Sequence, residues 1–194
     1  YVQYEVSAYA RDDKRCVHNL NYWTFGDYLG IGAGAHGKIT AEGRRETGKE
    51  SGSVAGVRRR WKVKHPRAYL GSAASDARIG GDATIPRAEL PLEYMLNALR
   101  LVDGTPLEDF PKRTGLALDA IEALLREARA RGWLEDDPQI LRATELGRRF
   151  LNNVIELFLP PKCVAPATPC HDEELDSGSP LRGVRNDENG RSSA

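Results

Sequence analysis

The 194-residue sequence has one methionine, Met95, and its first residue, Tyr1, already sits in strand-like sequence. A chain without an initiator is expected to be the back part of a longer protein. It has three cysteines, Cys16, Cys163 and Cys170, and no CxxC spacing. This excludes a disulfide framework and fits a reducing compartment. Cys163, Cys170 and His171 lie close in sequence, but they lack a fourth ligand at zinc-like spacing and are read as accidental neighbours. Net charge is absent too: 28 Lys+Arg balance 28 Asp+Glu. That balance argues against a wholesale nucleic-acid or polybasic membrane binder. No apolar run approaches the roughly 20 residues that span a bilayer. No charged and apolar leader opens the chain. With 40% hydrophobic residues and a mean hydropathy of -0.52, the sequence reads as a soluble, cytoplasmic protein on the polar side of globular.

The pattern along the chain gives four regions. Residues 1–40 are strand-like, with Val2, Tyr4, Val6 and Ala8 alternating with polar neighbours and Tyr28–Ala35 running into a glycine-rich loop. Residues 41–89 are polar and broken by Gly and Ser, with one expected strand at Arg60–Lys64. Residues 90–159 are helical. Residues 160–194, rich in Pro, Ser, Gly and Asp, are expected to be a disordered tail, natural or not.

In the helical region Leu92, Met95, Leu96, Leu99 and Val102 form one apolar stripe. Thr105-Pro106-Leu107-Glu108 reads as the capped start of a second helix. Leu118, Ile121, Leu124, Leu125 and Ala128 form the next stripe, closed by Gly132 as a left-handed cap. Ile140-Leu141 is a short extended piece. Thr144 caps a last helix whose face is Gly147, Phe150, Leu151, Val154, Ile155 and Phe158. The order resembles a winged helix, which raises DNA binding. The helix that would read DNA begins with Asp119 and Glu122, however, and these would repel phosphate. A packing module is the better reading, and no nucleic-acid partner is expected.

Three clusters could carry chemistry. The first is Cys16-Val17-His18-Asn19-Leu20-Asn21-Tyr22-Trp23. A neutral imidazole is a good axial ligand for haem iron, a side-chain amide can orient it, and aromatic faces can stack on a porphyrin. The plainer alternative is a turn with a packed histidine, which residue chemistry alone favours. The second is Gly30-Ile31-Gly32-Ala33-Gly34-Ala35-His36-Gly37, a loop whose backbone a ligand can approach closely or which is simply a turn. Its GxGxxG spacing is followed by Lys38-Ile39-Thr40 and no helix, so the dinucleotide reading lacks its context. The third is a basic stretch from Lys38 to Arg67 whose ten Lys and Arg face only Glu42, Glu46 and Glu50. It is either a solvated hairpin or an attractor of nucleic acid, lipid headgroups or porphyrin propionates.

Taken together, Tyr4-Glu5-Val6-Ser7, the HNxxYW hexapeptide at His18-Asn19-Tyr22-Trp23 and Tyr28–Gly37 resemble the HemW family of radical SAM haem chaperones. That family groups with the oxygen-independent coproporphyrinogen III oxidases. Arg60-Trp61, His65-Pro66, Tyr69-Leu70 and the helical pieces at 89–101 and 110–116 match in order, so the resemblance covers residues 1 to about 159.

The resemblance implies an α+β fold: the last strands of a partial (β/α) radical SAM barrel, then a helical, winged-helix-like domain. It makes His18 the haem-iron ligand, with Asn19, Tyr22 and Trp23 around it. It makes Gly32, Gly34 and Ala35 contacts of S-adenosylmethionine (SAM). It implies a [4Fe–4S] cluster and SAM in the full-length parent only, because the CxxxCxxC that holds such a cluster is absent here. The expected function is haem binding and transfer to acceptors such as respiratory proteins, with association at the membrane surface as a further expectation. The alternative is an oxidase-like enzyme of porphyrin biosynthesis. In either case this polypeptide alone is expected to be inactive as an enzyme.

Overall fold

The computed structural model describes residues 1–11, 13–42 and 54–160. The expected tail, with Cys163, Cys170 and His171, lies outside them, as do Arg44, Arg45, Glu46, Lys49 and Glu50.

The first forty residues are not a run of strands. Strands β1 (Val2–Glu5) and β2 (Ala8–Ala10) form an antiparallel hairpin, irregular between Gln3 and Glu5. The irregularity breaks the expected alternation: Tyr4 and Glu5 are both buried, whereas Val2 and Val6 are exposed. Tyr4 and Val6 also tie the hairpin to a later loop, through Val102 N–H to the Tyr4 carbonyl (3.1 Å) and Val6 N–H to the Arg100 carbonyl (3.1 Å). The HNxxYW segment is helix α1 (Val17–Trp23) rather than a turn or strand.

The polar middle holds more order than one strand. β3 (His36–Glu42), β4 (Val54–Lys62) and β5 (Ile79–Thr84) form an antiparallel sheet in the order β3-β4-β5. Helix α2 (Pro66–Ser72) and a 3-10 turn at Asp76–Arg78 connect β4 to β5. The extra strands escaped the hydrophobic pattern because β4 alternates Val57, Arg59 and Trp61 with Arg58, Arg60 and Lys62, and β5 is mostly glycine and small residues.

Helix α3 (Leu90–Ala98) buries Leu90, Tyr94, Met95 and Ala98, with Leu99 just after it. Leu96 is exposed and Val102 falls beyond the helix, so the stripe is rotated from the expected one. Thr105 caps nothing. Thr105–Pro106 is strand β6, paired with β7 (Ile140–Leu141), and α4 (Asp109–Thr114) starts after Glu108. The ladder pairing of Thr105 with Leu141 takes the backbone that a cap would need.

Helix α5 (Asp119–Ala130) buries Ile121, Leu125 and Ala128, and Gly132 has the left-handed φ of 70° expected after it. Thr144 does cap the next helix: its Oγ1 accepts from Gly147 N–H at 3.0 Å. That helix is α6 (Glu145–Arg149), and the expected single helix breaks at Phe150 (φ -112°, ψ 35°) before α7 (Leu151–Glu156). Phe150 is half exposed and so lies off the buried face.

The core joins both halves of the described chain. Phe25 and Val57 pack in one cluster with Tyr94, Phe110, Ile121 and Phe158. Small sheets and helices around it make the fold mixed, as α+β implies. Among the described residues no helix is long and apolar enough to cross a membrane.

Candidate functional site

Helix α1 is seven residues long and buries none of them fully, so its side chains remain on offer while their neighbours fix its position. Residues four apart share a helix face, which pairs His18 with Tyr22 and Asn19 with Trp23. His18 is exposed at the open end of its face. Tyr22 packs its ring edge-on to Trp23 (4.7 Å between centroids) and against Tyr28 (4.9 Å). Asn19 donates from Nδ2 to the Tyr4 hydroxyl at 3.2 Å, so its amide anchors α1 to the β1 strand. Burial, with the Tyr22 hydroxyl beside it, pushes the Tyr28 hydroxyl up to about 12.

Trp23 has a partner that sequence reasoning missed. The Arg100 guanidinium lies 4.4 Å from the centroid of the Trp23 ring. The same Arg100 reaches the buried Glu5 carboxylate at 3.2 Å, and Glu5 also accepts from Ser7 N–H (3.0 Å) and Oγ (2.7 Å). Glu5 and Arg100 stand 95 residues apart, and no short-range pattern joins them.

The turn after α1 is tightly built. Phe25 is fully buried with φ 58°, and Lys38 Nζ sits 4.2 Å from its ring centroid, bonded to the Phe25 carbonyl and to Asp27 Oδ1, each at 3.0 Å. Burial lowers the Lys38 pKa from its ordinary value, and Asp27 partly offsets that. Burial alone would raise Asp27. Hydrogen bonds from Thr40 N–H, Lys38 and the Thr40 hydroxyl outweigh it and hold the carboxyl below its ordinary value.

In the glycine loop, Gly32 (φ 106°) and Gly34 (φ 70°) occupy backbone that only glycine takes without strain. Gly32 N–H donates to the Tyr69 hydroxyl (3.2 Å), Gly34 N–H to the Val63 carbonyl (2.9 Å) and Ala35 N–H to the Gly32 carbonyl (3.2 Å). All three amides are therefore engaged inside the protein, and what Gly32 and Gly34 leave open to a ligand is backbone without a Cβ. His36 opens β3 directly after it and stacks on Trp61 (6.3 Å, 23°), so no helix follows the GxGxxG spacing.

Among the described residues the basic stretch has acidic partners other than those near it in sequence. Lys38 pairs with Asp27, Arg58 and Arg60 with Asp82, and Arg59 with Glu93 on α3. Cross-strand register supplies Asp82, and the helix packed on the sheet supplies Glu93. Neither acid is visible as a partner from sequence spacing.

Residues 85–150 match the HemN C-terminal domain. Over 159 residues, 82% of this chain, the sequence is 40% identical to "Heme chaperone HemW" of Escherichia coli (strain K12) and 38% identical to that of Haemophilus influenzae. It is 34% identical over 168 residues to the protein of the same name from Mycobacterium tuberculosis. The chain spans 38% of the length of the first two relatives and 35% of the third. Among solved structures, the radical SAM enzyme coproporphyrinogen III oxidase (HemN) from Escherichia coli aligns with a TM-score of 0.42 and 15% identity, over 69% of this chain and 28% of that one.

Proposed function

We propose, from its identity of 38–40% with heme chaperones over 82% of its length, that this chain is the haem-binding part of a haem chaperone. The observation that carries this is His18. An exposed imidazole at the open end of α1, with Tyr22 on the same face and Trp23 beside it, offers one axial ligand and flat apolar surface. The names of the relatives stand behind chaperone rather than oxidase chemistry.

The residues divide the work. His18 gives its lone pair to the iron. Asn19 sets the pose of α1 through Tyr4 rather than touching the imidazole. Tyr22 and Trp23 present ring surface, with Arg100 locking the Trp23 indole from behind. Ligation from a single exposed helix leaves the other face of a bound haem open, and an acceptor protein can take it from there. Respiratory haem proteins are the acceptor class in this reading, and a membrane surface is where they would be met.

The [4Fe–4S] cluster of a radical SAM protein does not fit this chain. Its cysteines stand at 16, 163 and 170, and among the described residues no three His, Cys, Asp or Glu side chains gather as a metal site. In a longer parent, Gly32 and Gly34, which lack a Cβ, and Ala35, which carries only a methyl group, would contact SAM. Residues 1–40 would complete the barrel there. Residues 41–89 would form a basic hairpin region, and 90–159 a winged-helix-like helical domain.

Haem titration followed by Soret absorbance tests the reading, on this chain and on His18→Ala. The expected result is a saturable Soret shift that the substitution weakens at least tenfold. A titration that the substitution leaves unchanged would remove His18 as the ligand.

A further inference from the structure

Register places Gly37 opposite Arg60 and Ile39 opposite Arg58, so these four residues share one face of the sheet. The other face carries Lys38 and Arg59, which line a small gap together with Tyr22 of α1. The first face is therefore turned away from α1, and it holds an open cleft of about 310 Å³. Arg58, Arg60 and Lys62 line one side, with Leu29 and Ile39 on the other. Leu29 is 78% exposed and Ile39 42%. Gly30 and Gly37 also line it, and a Cβ on Gly30 would run into the His36 backbone.

One carboxylate already occupies the cationic side. Asp82 Oδ2 accepts from Arg60 Nε at 2.7 Å, and its Oδ1 accepts from Arg58 Nε at 3.1 Å. The Arg60 hydrogen bond, with Arg58 behind it, holds the Asp82 carboxyl below its ordinary value. Three cations against this one acid leave the cleft at +2, and Lys62 has no ion-pair partner among the described residues. A guanidinium binds carboxylates through paired hydrogen bonds, and exposed Leu and Ile beside it favour a ligand with an apolar body.

We propose that this cleft is a second binding site, distinct from His18, for an amphipathic dicarboxylate: two carboxylates for Arg60 and Lys62, and an apolar body against Leu29 and Ile39. The choice of a dipropionate tetrapyrrole as probe rests on the haem reading above, whereas the ligand class rests on the cleft itself. Asp82 competes with the incoming carboxylates for the two arginines.

The test uses iron-free protoporphyrin IX, followed by fluorescence on the 194-residue chain, with its dimethyl ester as the uncharged comparison. The free acid is expected to bind at least tenfold more tightly than the ester. Arg60→Gln with Lys62→Gln should weaken the free acid about tenfold, and Asp82→Asn should tighten it. A misfolded variant cannot produce that gain. Equal binding of acid and ester, or affinity indifferent to all three substitutions, overturns the proposal, as does no binding of the free acid. The iron-free ring offers nothing for an imidazole to ligate. Its titration therefore fails or succeeds independently of the Soret titration that tests His18.

Discussion

The Asn19 side-chain amide donates to the Tyr4 hydroxyl at 3.2 Å, joining the HNxxYW helix to the hairpin that precedes it. Tyr4 is only 3% exposed, so losing this bond leaves a buried hydroxyl short of a partner. Asn19→Ala is expected to cost about 1 kcal/mol of stability, and Tyr4→Phe a similar amount. The double variant should cost less than the sum, because both substitutions remove the same bond. Urea denaturation of the four proteins measures this, and strictly additive losses would show that the bond contributes nothing.

Gly147 lies in α6, where alanine ordinarily improves a helix by about 1 kcal/mol. Here the sign reverses. A Cβ on Gly147 would stand 1.9 Å from the Trp133 carbonyl oxygen, and that oxygen is backbone held by Thr144 N–H at 3.0 Å. Gly147→Ala is expected to destabilise by about 1–3 kcal/mol through overpacking. A thermal melt checks it, and an unchanged or higher Tm would mean that the Trp133 backbone yields freely.

These two sites also show what the sequence could and could not reveal. The Thr144 cap, the Gly132 left-handed residue and the Ile121–Leu125–Ala128 face were legible because capping and helical periodicity act within a few residues. The HNxxYW and glycine-loop residues stood out by type, yet not by conformation. α1 buries no residue fully, so burial left no periodicity to mark it as a helix. Glu5–Arg100, Arg60–Asp82 and Arg59–Glu93 were illegible for a different reason. Each is made by strand register or tertiary packing between residues 22 to 95 positions apart. Thr105 misled because a Thr-Pro pair suits both a helix start and the edge of a two-residue ribbon, and only the distant Ile140–Leu141 decides between them.

Asp27 makes the turn after α1 sensitive to acid. Its folded pKa lies below the ordinary 3.8 because hydrogen bonds from Thr40 and Lys38 outweigh its burial. A carboxylate depressed by folding stabilises above its unfolded pKa, and that contribution is lost as pH falls through the folded value. The chain is expected to lose stability below about pH 3.8, and Asp27→Asn to flatten that part of the curve. Denaturation midpoints from pH 2 to 6 give the comparison, and parallel curves would remove Asp27 as the titrating group.

Tyr94 makes the opposite limb, at alkaline pH. Its ring is fully buried between Phe25 and Phe110, and burial pushes its hydroxyl up to about 12. A phenol whose folded pKa is raised keeps its proton longer folded than unfolded. Its contribution is intact below the unfolded value of 10 and is lost as pH rises from there towards 12. Among the described residues the hydroxyl makes no hydrogen bond of good geometry, the Thr105 hydroxyl beside it only tempering the rise, so removing it relieves a buried polar group rather than breaking a strong bond. Tyr94→Phe is therefore expected to hold or raise stability at neutral pH and to soften the decline above pH 10. Absorbance titration of the phenolates should at the same time lose one of the late-ionising tyrosines and leave Tyr28, also near 12, in place. A variant destabilised by 1 kcal/mol or more at neutral pH would show instead that the hydroxyl is satisfied in the folded protein, by water or by the buried Thr105 hydroxyl.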